Sequence, residues 1–100
     1  MDFLKLSGFE WDEGNLKKIL ERIDPHIVEM AFLGEPWVAL SQKFSKGEPR
    51  WFLINQVENR HVFVVFTIRG NKIRVVSARR MHSKEVKHYE KEFKKKEKTD

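Results

Sequence analysis

Four short runs rich in β-branched and aromatic residues occupy the middle of this 100-residue chain. The runs are WVALSQ (37–42), RWFLIN (50–55), HVFVVFTI (61–68) and KIRVVSA (72–78), and residues of these types favour strands. The turn signals SKGEP, VENR and RGN separate them, and connections this short join antiparallel neighbours. We therefore predict an antiparallel meander of four strands, with HVFVVFTI, apolar nearly throughout, as the central strand.

Helical patterns lie on both sides of these runs. Before them, Asp12 can cap a helix whose apolar residues recur at the spacing of one helical face: Leu16, Ile19, Leu20 and Ile23. Asp24 and Pro25 suit the start of a second helix, because Asp caps helices and Pro fits the first helical position. Gly34 can end this second helix.

A further short strand is predicted at GFEW (8–11), and a last helix is predicted to begin near Ser83. In that helix Val86, Tyr89 and Phe93 form a narrow apolar stripe for packing on the sheet. The predicted order is β-α-α-β-β-β-β-α, an α+β fold with an antiparallel sheet and segregated helices. We expect one domain over residues 1–100, with 94–100 as a frayed basic tail.

Charge is unevenly distributed along the chain. Residues 1–78 carry eleven Lys and Arg against ten Asp and Glu, whereas residues 79–100 carry nine against five. A basic end beside a nearly neutral body indicates an anionic partner, either nucleic acid or an acidic protein surface. A solvated lysine tail is the alternative reading.

Several kinds of chemistry find no support in the sequence. There is no cysteine, which excludes disulfides and thiolate metal sites and fits a cytoplasmic protein. The four histidines have no metal-binding spacing, and no Walker loop, GxSxG or GxGxxG motif occurs. No apolar run approaches the length of about 20 residues that a membrane span needs. We expect no metal, no cofactor and no membrane contact.

Two adjacent arginines, Arg79 and Arg80, follow the last predicted strand. Strict alternation would place Arg80 on one face with Lys72 and Arg74, and Arg79 on the other face. A bulge at Ser77–Ala78 would undo this parity and could turn both arginines the same way. One arginine could then face a cleft while the other pairs with a helix acid such as Glu85. Arginine suits phosphate because its planar fork donates two parallel hydrogen bonds and stays charged. We assign the phosphate contact to Arg80, on the basis of the charge that this face would concentrate.

Two segments resemble a known family. FEWDEGNLKK (9–18) is similar to the opening of the BrnT toxins of bacterial type II toxin–antitoxin systems, with its Trp-Asp pair and Asn-x-x-Lys. IRVVSARRMHSKEVKHYE (73–90) resembles their closing signature. That signature is carried here by Arg74, Ser77, Ala78, Arg79, Arg80, Glu85 and Tyr89. The resemblance covers roughly residues 8–92.

The chain also departs from the family pattern at two places. Family members usually continue after the lysine with His and Gly, where this chain has Ile19 and Leu20. A Gly that often follows the apolar pair of the second meander strand is Asn55 here.

The resemblance implies a RelE-like fold and a ribonuclease that slows translation. It also implies a BrnA-type antitoxin that neutralises the toxin. Operator DNA would be bound only through this antitoxin. The candidate catalytic residues are Arg79, Arg80, Arg74, Lys18 and Glu85, and the candidate RNA-binding residues are Lys17, Lys72, Arg69, Lys84 and Tyr89.

Within this scheme the arginines would stabilise charge on the phosphate, because preorganised cations commonly supply the largest catalytic effect. Lys17 and Lys18 could supply a second phosphate contact or a proton. Glu85 could be a general base, although orienting an arginine is its expected role. Trp11, Trp37 and Trp51 could stack on bases, although core or antitoxin contacts are expected for each. The alternative to an enzyme is a non-catalytic module that binds nucleic acid or protein through the same basic surface.

Overall fold

The computed structural model describes residues 6–42 and 47–97, with side chains up to residue 92. The described elements are α1 (Glu13–Leu20), α2 (Pro25–Met30), β1 (Trp37–Leu40), β2 (Trp51–Val57), β3 (Arg60–Arg69), β4 (Lys72–Arg80) and α3 (Ser83–Glu97). The backbone of residues 94–97, which we predict as part of a frayed tail, continues helix α3. Residues 98–100 of that predicted tail lie outside the described residues.

The four strands form one open antiparallel sheet in the order β1-β2-β3-β4. This confirms the predicted meander, in which β2 and β3 are the two internal strands and β3 pairs with both β2 and β4. The tight turn between β3 and β4 contains Gly70, whose φ of 63° is readily adopted by a residue without a Cβ. The α+β class is therefore confirmed.

The predicted first strand at GFEW is reduced to an isolated parallel bridge between Phe9 and Ile73. Two backbone bonds form it, from Ile73 N–H to the Gly8 carbonyl and from Glu10 N–H to the Ile73 carbonyl. Two residues later the chain turns into α1, so the pairing cannot extend into a strand. The segment nevertheless covers part of the edge of β4.

Helix α1 begins with the predicted cap and is reinforced by a residue that the helical pattern did not include. The Asp12 carboxylate accepts from the N–H groups of Gly14 and Asn15, while Asn15 Oδ1 accepts from the Asp12 N–H. The buried Asn15 amide also donates to the carbonyls of Glu10 and Val75, at 3.0 and 3.1 Å. Asn15 therefore ties the start of α1 to the middle of β4.

Most of the predicted helical core is confirmed. Ile19 and Ile23 are buried as predicted, in one cluster that also contains Val28, Ala31 and Phe32 and packs against the sheet. Leu20 is the exception: it was expected on the same face, but its side chain is 59% exposed. Because α1 ends at Leu20, the turn that follows, and not a continued helix, carries Ile23 into the core.

Strand β4 contains a bulge. Its pairing with β3 shifts between Val65 and Phe66, which face Ser77 and Val75, so that Val76 has no partner of its own. Ile73 and Val75 face the α1–α2 core before the bulge, and Ala78 faces it afterwards. A bulge of this kind reverses the alternation of the residues that follow it.

Helix α3 lies on the other side of the sheet. Its Tyr89 ring lies 6.0 Å from the ring of Trp37 in β1 and 5.7 Å from that of His61 in β3, between ring centroids. This confirms that Tyr89 packs on the sheet, whereas the side chain of Phe93 lies outside the described ones. Among the described residues, no helix combines the length and apolar character needed to cross a membrane.

Candidate functional site

The predicted site residues fall at the two ends of strand β4. Arg74 lies near the β3–β4 hairpin, and Arg79 and Arg80 lie at the opposite end, where α3 begins. Arg80 lies six positions after Arg74 along the strand, which corresponds to roughly 20 Å at about 3.3 Å per residue. The structure therefore does not bring the candidate catalytic arginines together in one cluster.

Arg74 is held by two acids of the N-terminal segment. Its Nη1 lies 2.8 Å from Glu10 Oε1 and 2.7 Å from Asp12 Oδ2, and its Nη2 lies 3.3 Å from Asp12 Oδ1. The hydrogen bond with Arg74 is the main reason why the pKa of Asp12 is lowered, and the same bond raises the pKa of Arg74. Arg74 thus fastens the helix cap of α1 to the sheet, and its charge is already neutralised.

A small basic cavity of about 230 Å³ adjoins Arg74. We call it the hairpin-end pocket, and its charged lining residues are Lys18, Glu48, Arg50, Arg69 and Arg74. Glu48 bridges two of these cations, at 3.7 Å from Arg50 and 3.3 Å from Arg69. Arg69 is mainly responsible for the lowered pKa of Glu48. The pocket is a fixed group of positive charges at the hairpin end of β4.

Arg79 forms a two-pronged ion pair with Glu85 at the start of α3. Nη1 and Nη2 of the arginine lie 2.7 and 2.6 Å from the two carboxylate oxygens. The guanidinium also lies 5.1 Å from the centre of the Phe63 ring, close enough for a cation–π contact. The Arg79 hydrogen bond and a second one from the His82 N–H lower the pKa of Glu85 to about 2. The predicted pairing of one arginine with Glu85 is confirmed, and the partner is Arg79.

Arg80 points to the other face of the sheet. It pairs with Val62 of β3, whereas Arg79 pairs with Phe63, so the two arginines do lie on opposite faces as predicted. The grouping of Arg80 with Lys72 and Arg74 is wrong, because the bulge at Val76 places Arg74 and Arg79 on the same face instead. The concentration of positive charge on one face, which was the reason for assigning the phosphate contact to Arg80, therefore does not include Arg80.

A different observation now distinguishes Arg80. Its side chain is half-buried, and its Nε is a buried donor without a hydrogen-bond partner. Within the described part of the chain, no carboxylate forms an ion pair with its guanidinium. Because acids neutralise Arg74 and Arg79, Arg80 is the arginine of the closing signature whose charge has no carboxylate partner among the described residues.

The remaining candidates are distributed between the two ends. Lys17 and Lys18 are exposed in the last turn of α1, and only Lys18 lines the hairpin-end pocket. Lys72 is exposed at the start of β4. Lys84 and Tyr89 line an apolar groove beneath α3. No contact of these residues with RNA follows from their positions, so their binding role stays a prediction.

The two departures from the family pattern have structural roles. Ile19 is 1% exposed and forms part of the core. The Asn55 amide donates to the carbonyls of Ala31 and Leu33, at 3.0 and 2.8 Å, and so satisfies carbonyl groups just beyond the end of α2.

Two features of the site were missed by reasoning from the sequence. Arg50 was not a candidate, because the hairpin-end pocket depends on the sheet register that places β2 beside β3 and β4. The apolar groove beneath α3 was not located either, although surplus aromatic residues were a signal for it. In the part of the chain that the structure describes, no group of three or more His, Asp or Glu side chains is arranged to hold a metal ion.

Comparison with known proteins gives one finding. Residues 11–85 match the family described as the ribonuclease toxin BrnT of type II toxin–antitoxin systems. No curated protein and no solved structure matches the chain. The matched range includes α1, α2, the whole sheet, all three arginines of the closing signature and Glu85. The chain therefore belongs to the BrnT family of ribonuclease toxins of type II toxin–antitoxin systems.

Proposed function

We propose that this toxin cleaves RNA internally without a metal ion, that cleavage inhibits translation, and that a BrnA-type antitoxin neutralises it. The family description supports ribonuclease activity and an antitoxin partner. RNA as the substrate, metal independence, the RelE-like arrangement and the cytoplasm as the place of action belong to the proposal. Operator DNA would be bound only through the antitoxin.

The observation that carries the proposal is the state of the three signature arginines. Arg74 and Arg79 are neutralised by acids, whereas the guanidinium of Arg80 is half-buried with an unpaired Nε. A phosphodiester oxygen at the guanidinium of Arg80 would receive a charge-assisted hydrogen bond without competition from a carboxylate of the described chain. Arg80 is accordingly the residue that we place against the scissile phosphate.

The chemistry needs no metal because the RNA supplies its own nucleophile. The 2′-hydroxyl attacks the adjacent phosphorus, the bond to the 5′-oxygen breaks, and a 2′,3′-cyclic phosphate forms. The 2′-hydroxyl loses a proton and the leaving oxygen gains one. Arg80 would stabilise the negative charge that develops on the phosphate oxygens.

The other candidate residues would act by holding a neighbouring side chain or the RNA in place. Glu85 is held by Arg79 and has a pKa of about 2, so it is a carboxylate at neutral pH but a weak base. Its two oxygens are already engaged, which supports the expected role of fixing Arg79 over that of a general base. Lys18 and Arg69 in the hairpin-end pocket would bind a phosphate away from the cleavage point.

The test is cleavage of single-stranded RNA by the purified toxin in excess EDTA. We expect cleavage to persist and the products to end in 2′,3′-cyclic phosphate or 3′-phosphate. Products with 3′-hydroxyl ends, or abolition of cleavage by EDTA that added divalent metal restores, would contradict the proposed mechanism. RNA binding without cleavage under all conditions would favour the non-catalytic module.

A further inference from the structure

The proposed cleavage needs a group that transfers protons, and the residues placed near the phosphate so far do not supply one. Arginine stays protonated at any working pH, and Glu85 is a weak base with a pKa of about 2. Histidine is the side chain whose ordinary pKa, about 6.5, suits proton transfer near neutral pH. The chain contains four histidines: His26, His61, His82 and His88.

Two of these histidines lie on the side of the sheet that faces α3. The side chain of His61 is 15% exposed, its Nε2 lies 3.8 Å from Glu90 Oε1, and its ring packs against that of Tyr89. His88 is exposed and lines the apolar groove beneath α3. Because Arg80 faces the opposite side of the sheet, neither imidazole lies on the side where we place the scissile phosphate.

The alternation at the end of β4 places His82 with Arg80. Arg79 faces α3, and Arg80 faces the other side. Met81 again faces α3, because it lines the apolar groove beneath that helix. The sheet pairing extends as far as this residue, since the Met81 N–H donates to the His61 carbonyl at 2.9 Å. Continued alternation carries His82 back to the side of Arg80.

His82 is close to Arg80, and its backbone is fixed. Two residues of chain span at most about 7 Å between Cα atoms, so both side chains can reach one phosphate group. The His82 N–H donates to Glu85 Oε1 at 3.0 Å, and Glu85 is itself held by Arg79. The imidazole is exposed, and among the described residues it has no hydrogen bond, ion pair or ring contact. The ring is therefore available to a ligand.

The charged and titratable groups next to His82 fit a role as a proton donor. They are Glu85 on α3, Arg79 and Arg80 at the end of β4, and His61 on β3. The carboxylate of Glu85 is paired with Arg79, and His61 is turned beneath α3. A phosphate bound at Arg80 would bring a negative charge beside the imidazole, and this charge favours the protonated form.

We propose that His82 is a catalytic residue, the general acid that protonates the leaving 5′-oxygen of the phosphodiester bound by Arg80. The proposal rests on the proposed function. The 2′-oxygen forms a bond to phosphorus, and the bond from phosphorus to the 5′-oxygen breaks with its electron pair going to that oxygen. The imidazolium gives its proton to the 5′-oxygen. The proton of the 2′-hydroxyl passes to water, and the imidazole regains a proton from water afterwards.

The experiment measures single-turnover cleavage of single-stranded RNA in EDTA over the pH range in which histidine titrates. His82→Ala is compared with the wild type and with two controls, His26→Ala and His88→Ala, which each remove an exposed imidazole elsewhere. A second RNA carries sulfur in place of the 5′-oxygen at the bond that the wild type cleaves, because a thiolate leaves without a proton. Thermal unfolding of every variant identifies any loss of the fold.

We expect His82→Ala to lower cleavage of ordinary RNA by about 100-fold below pH 6.5, as for loss of a general acid. The ratio of wild-type to variant rates should shrink as the pH rises above 6.5, because the wild type loses its protonated donor. On the sulfur-containing RNA the two proteins should differ little. Added imidazole should restore part of the lost rate, and both control variants should cut as the wild type does.

Equal losses on both RNAs would show that His82 acts only through the structure, and a ratio that does not change with pH would show that its imidazole transfers no proton. Either result overturns the proposal, as does a loss in His26→Ala or His88→Ala that matches the loss in His82→Ala.

A wild-type toxin that cuts neither RNA would contradict the proposed function, and NMR then decides separately whether His82 lies at the phosphate. The imidazole signals are recorded with a noncleavable single strand that carries a 2′-deoxyribose at the scissile position. The His82 signals should move in the wild type but not in Arg80→Ala. Binding of the strand without a change in these signals, or no binding at all, would rule out contact between His82 and the phosphate.

Discussion

At the scale of single residues, the adjacent arginines Arg79 and Arg80 are predicted to have different roles. Changing Arg80 to Ala removes the half-buried guanidinium with the unpaired Nε, and we expect RNA cleavage to fall by about 100-fold or more. The melting temperature should change little, because the side chain has no ion pair within the described residues. Single-turnover cleavage and thermal unfolding of the same preparation measure the two effects.

Arg79→Ala is the matched control for that variant. It breaks the pair with Glu85 and the contact with Phe63, so we expect a loss of stability of about 1 kcal/mol, as for a partly exposed pair. Cleavage should be affected less than by Arg80→Ala. Equal losses of cleavage activity in both variants, with unchanged melting temperatures, would show that the two arginines do not have separate roles.

The sequence could predict the opposite orientation of Arg79 and Arg80, because adjacent strand residues alternate. It could also suggest Glu85 as a partner, since a helix begins just after the strand. It could not predict which charges share a face with Arg80. The bulge at Val76 reverses the alternation between Arg74 and Arg79, and no Gly or other sequence signal marks it. The choice of Arg80 now depends on its guanidinium having no ion pair among the described residues, whereas acids neutralise Arg74 and Arg79.

At the scale of elements, the attachment of α3 should depend on pH through Glu85. The pKa of this carboxyl falls from an ordinary value of 4.5 to about 2 in the folded protein, chiefly through the Arg79 hydrogen bond. The resulting stabilisation is fully present above about pH 4.5 and is lost as the pH falls towards 2. Wild-type toxin should therefore exceed Glu85→Gln in stability at pH 7, and the difference should shrink between pH 4.5 and 2.

Denaturant unfolding of both proteins at pH 7, 4 and 2.5 checks this expectation. Other acids that titrate in this range, such as Asp12, whose pKa is also lowered, are present in both proteins. Their contribution therefore cancels in the difference between wild type and Glu85→Gln. A difference that stays constant down to pH 2.5 would mean that the Arg79–Glu85 pair does not stabilise the attachment of α3.

The elements themselves were largely predictable. The four strands and two helix starts follow from local signals: β-branched runs, short turns, and the caps Asp12 and Asp24. The GFEW segment failed as a strand because its pairing within the described residues is an isolated bridge to Ile73, before the chain turns into α1. The role of Asn15 could not be derived from helical periodicity, since its partner Val75 is 60 residues away in sequence.

At the scale of the whole molecule, charge and apolar surface are arranged around one sheet. Arg80 faces the side of α1 and α2, the apolar groove beneath α3 opens on the opposite side, and the hairpin-end pocket lies at the far end of β4. Composition predicted a basic end of the chain, but the positions of the charged groups and of the apolar groove beneath α3 depend on register and on how α3 sits over the sheet. These are long-range properties that local sequence patterns do not specify.

The separation of Arg80 from the hairpin-end pocket predicts how RNA binding responds to salt. If a single strand follows β4 from Arg80 to the pocket, it must span roughly 20 Å, and domains that bind single strands commonly cover about 4–16 nucleotides. Lys18→Ala removes one cation from the pocket, so the slope of log affinity against log salt should decrease by about 0.7. Binding of a noncleavable single strand with a 2′-deoxyribose at the scissile position, measured from 50 to 200 mM salt, gives this slope. Lys87→Ala is the control, because the Lys87 side chain on α3 lies outside both the hairpin-end pocket and the apolar groove beneath α3. This variant should leave the slope unchanged. Identical slopes for the two variants would mean that RNA does not reach the hairpin end.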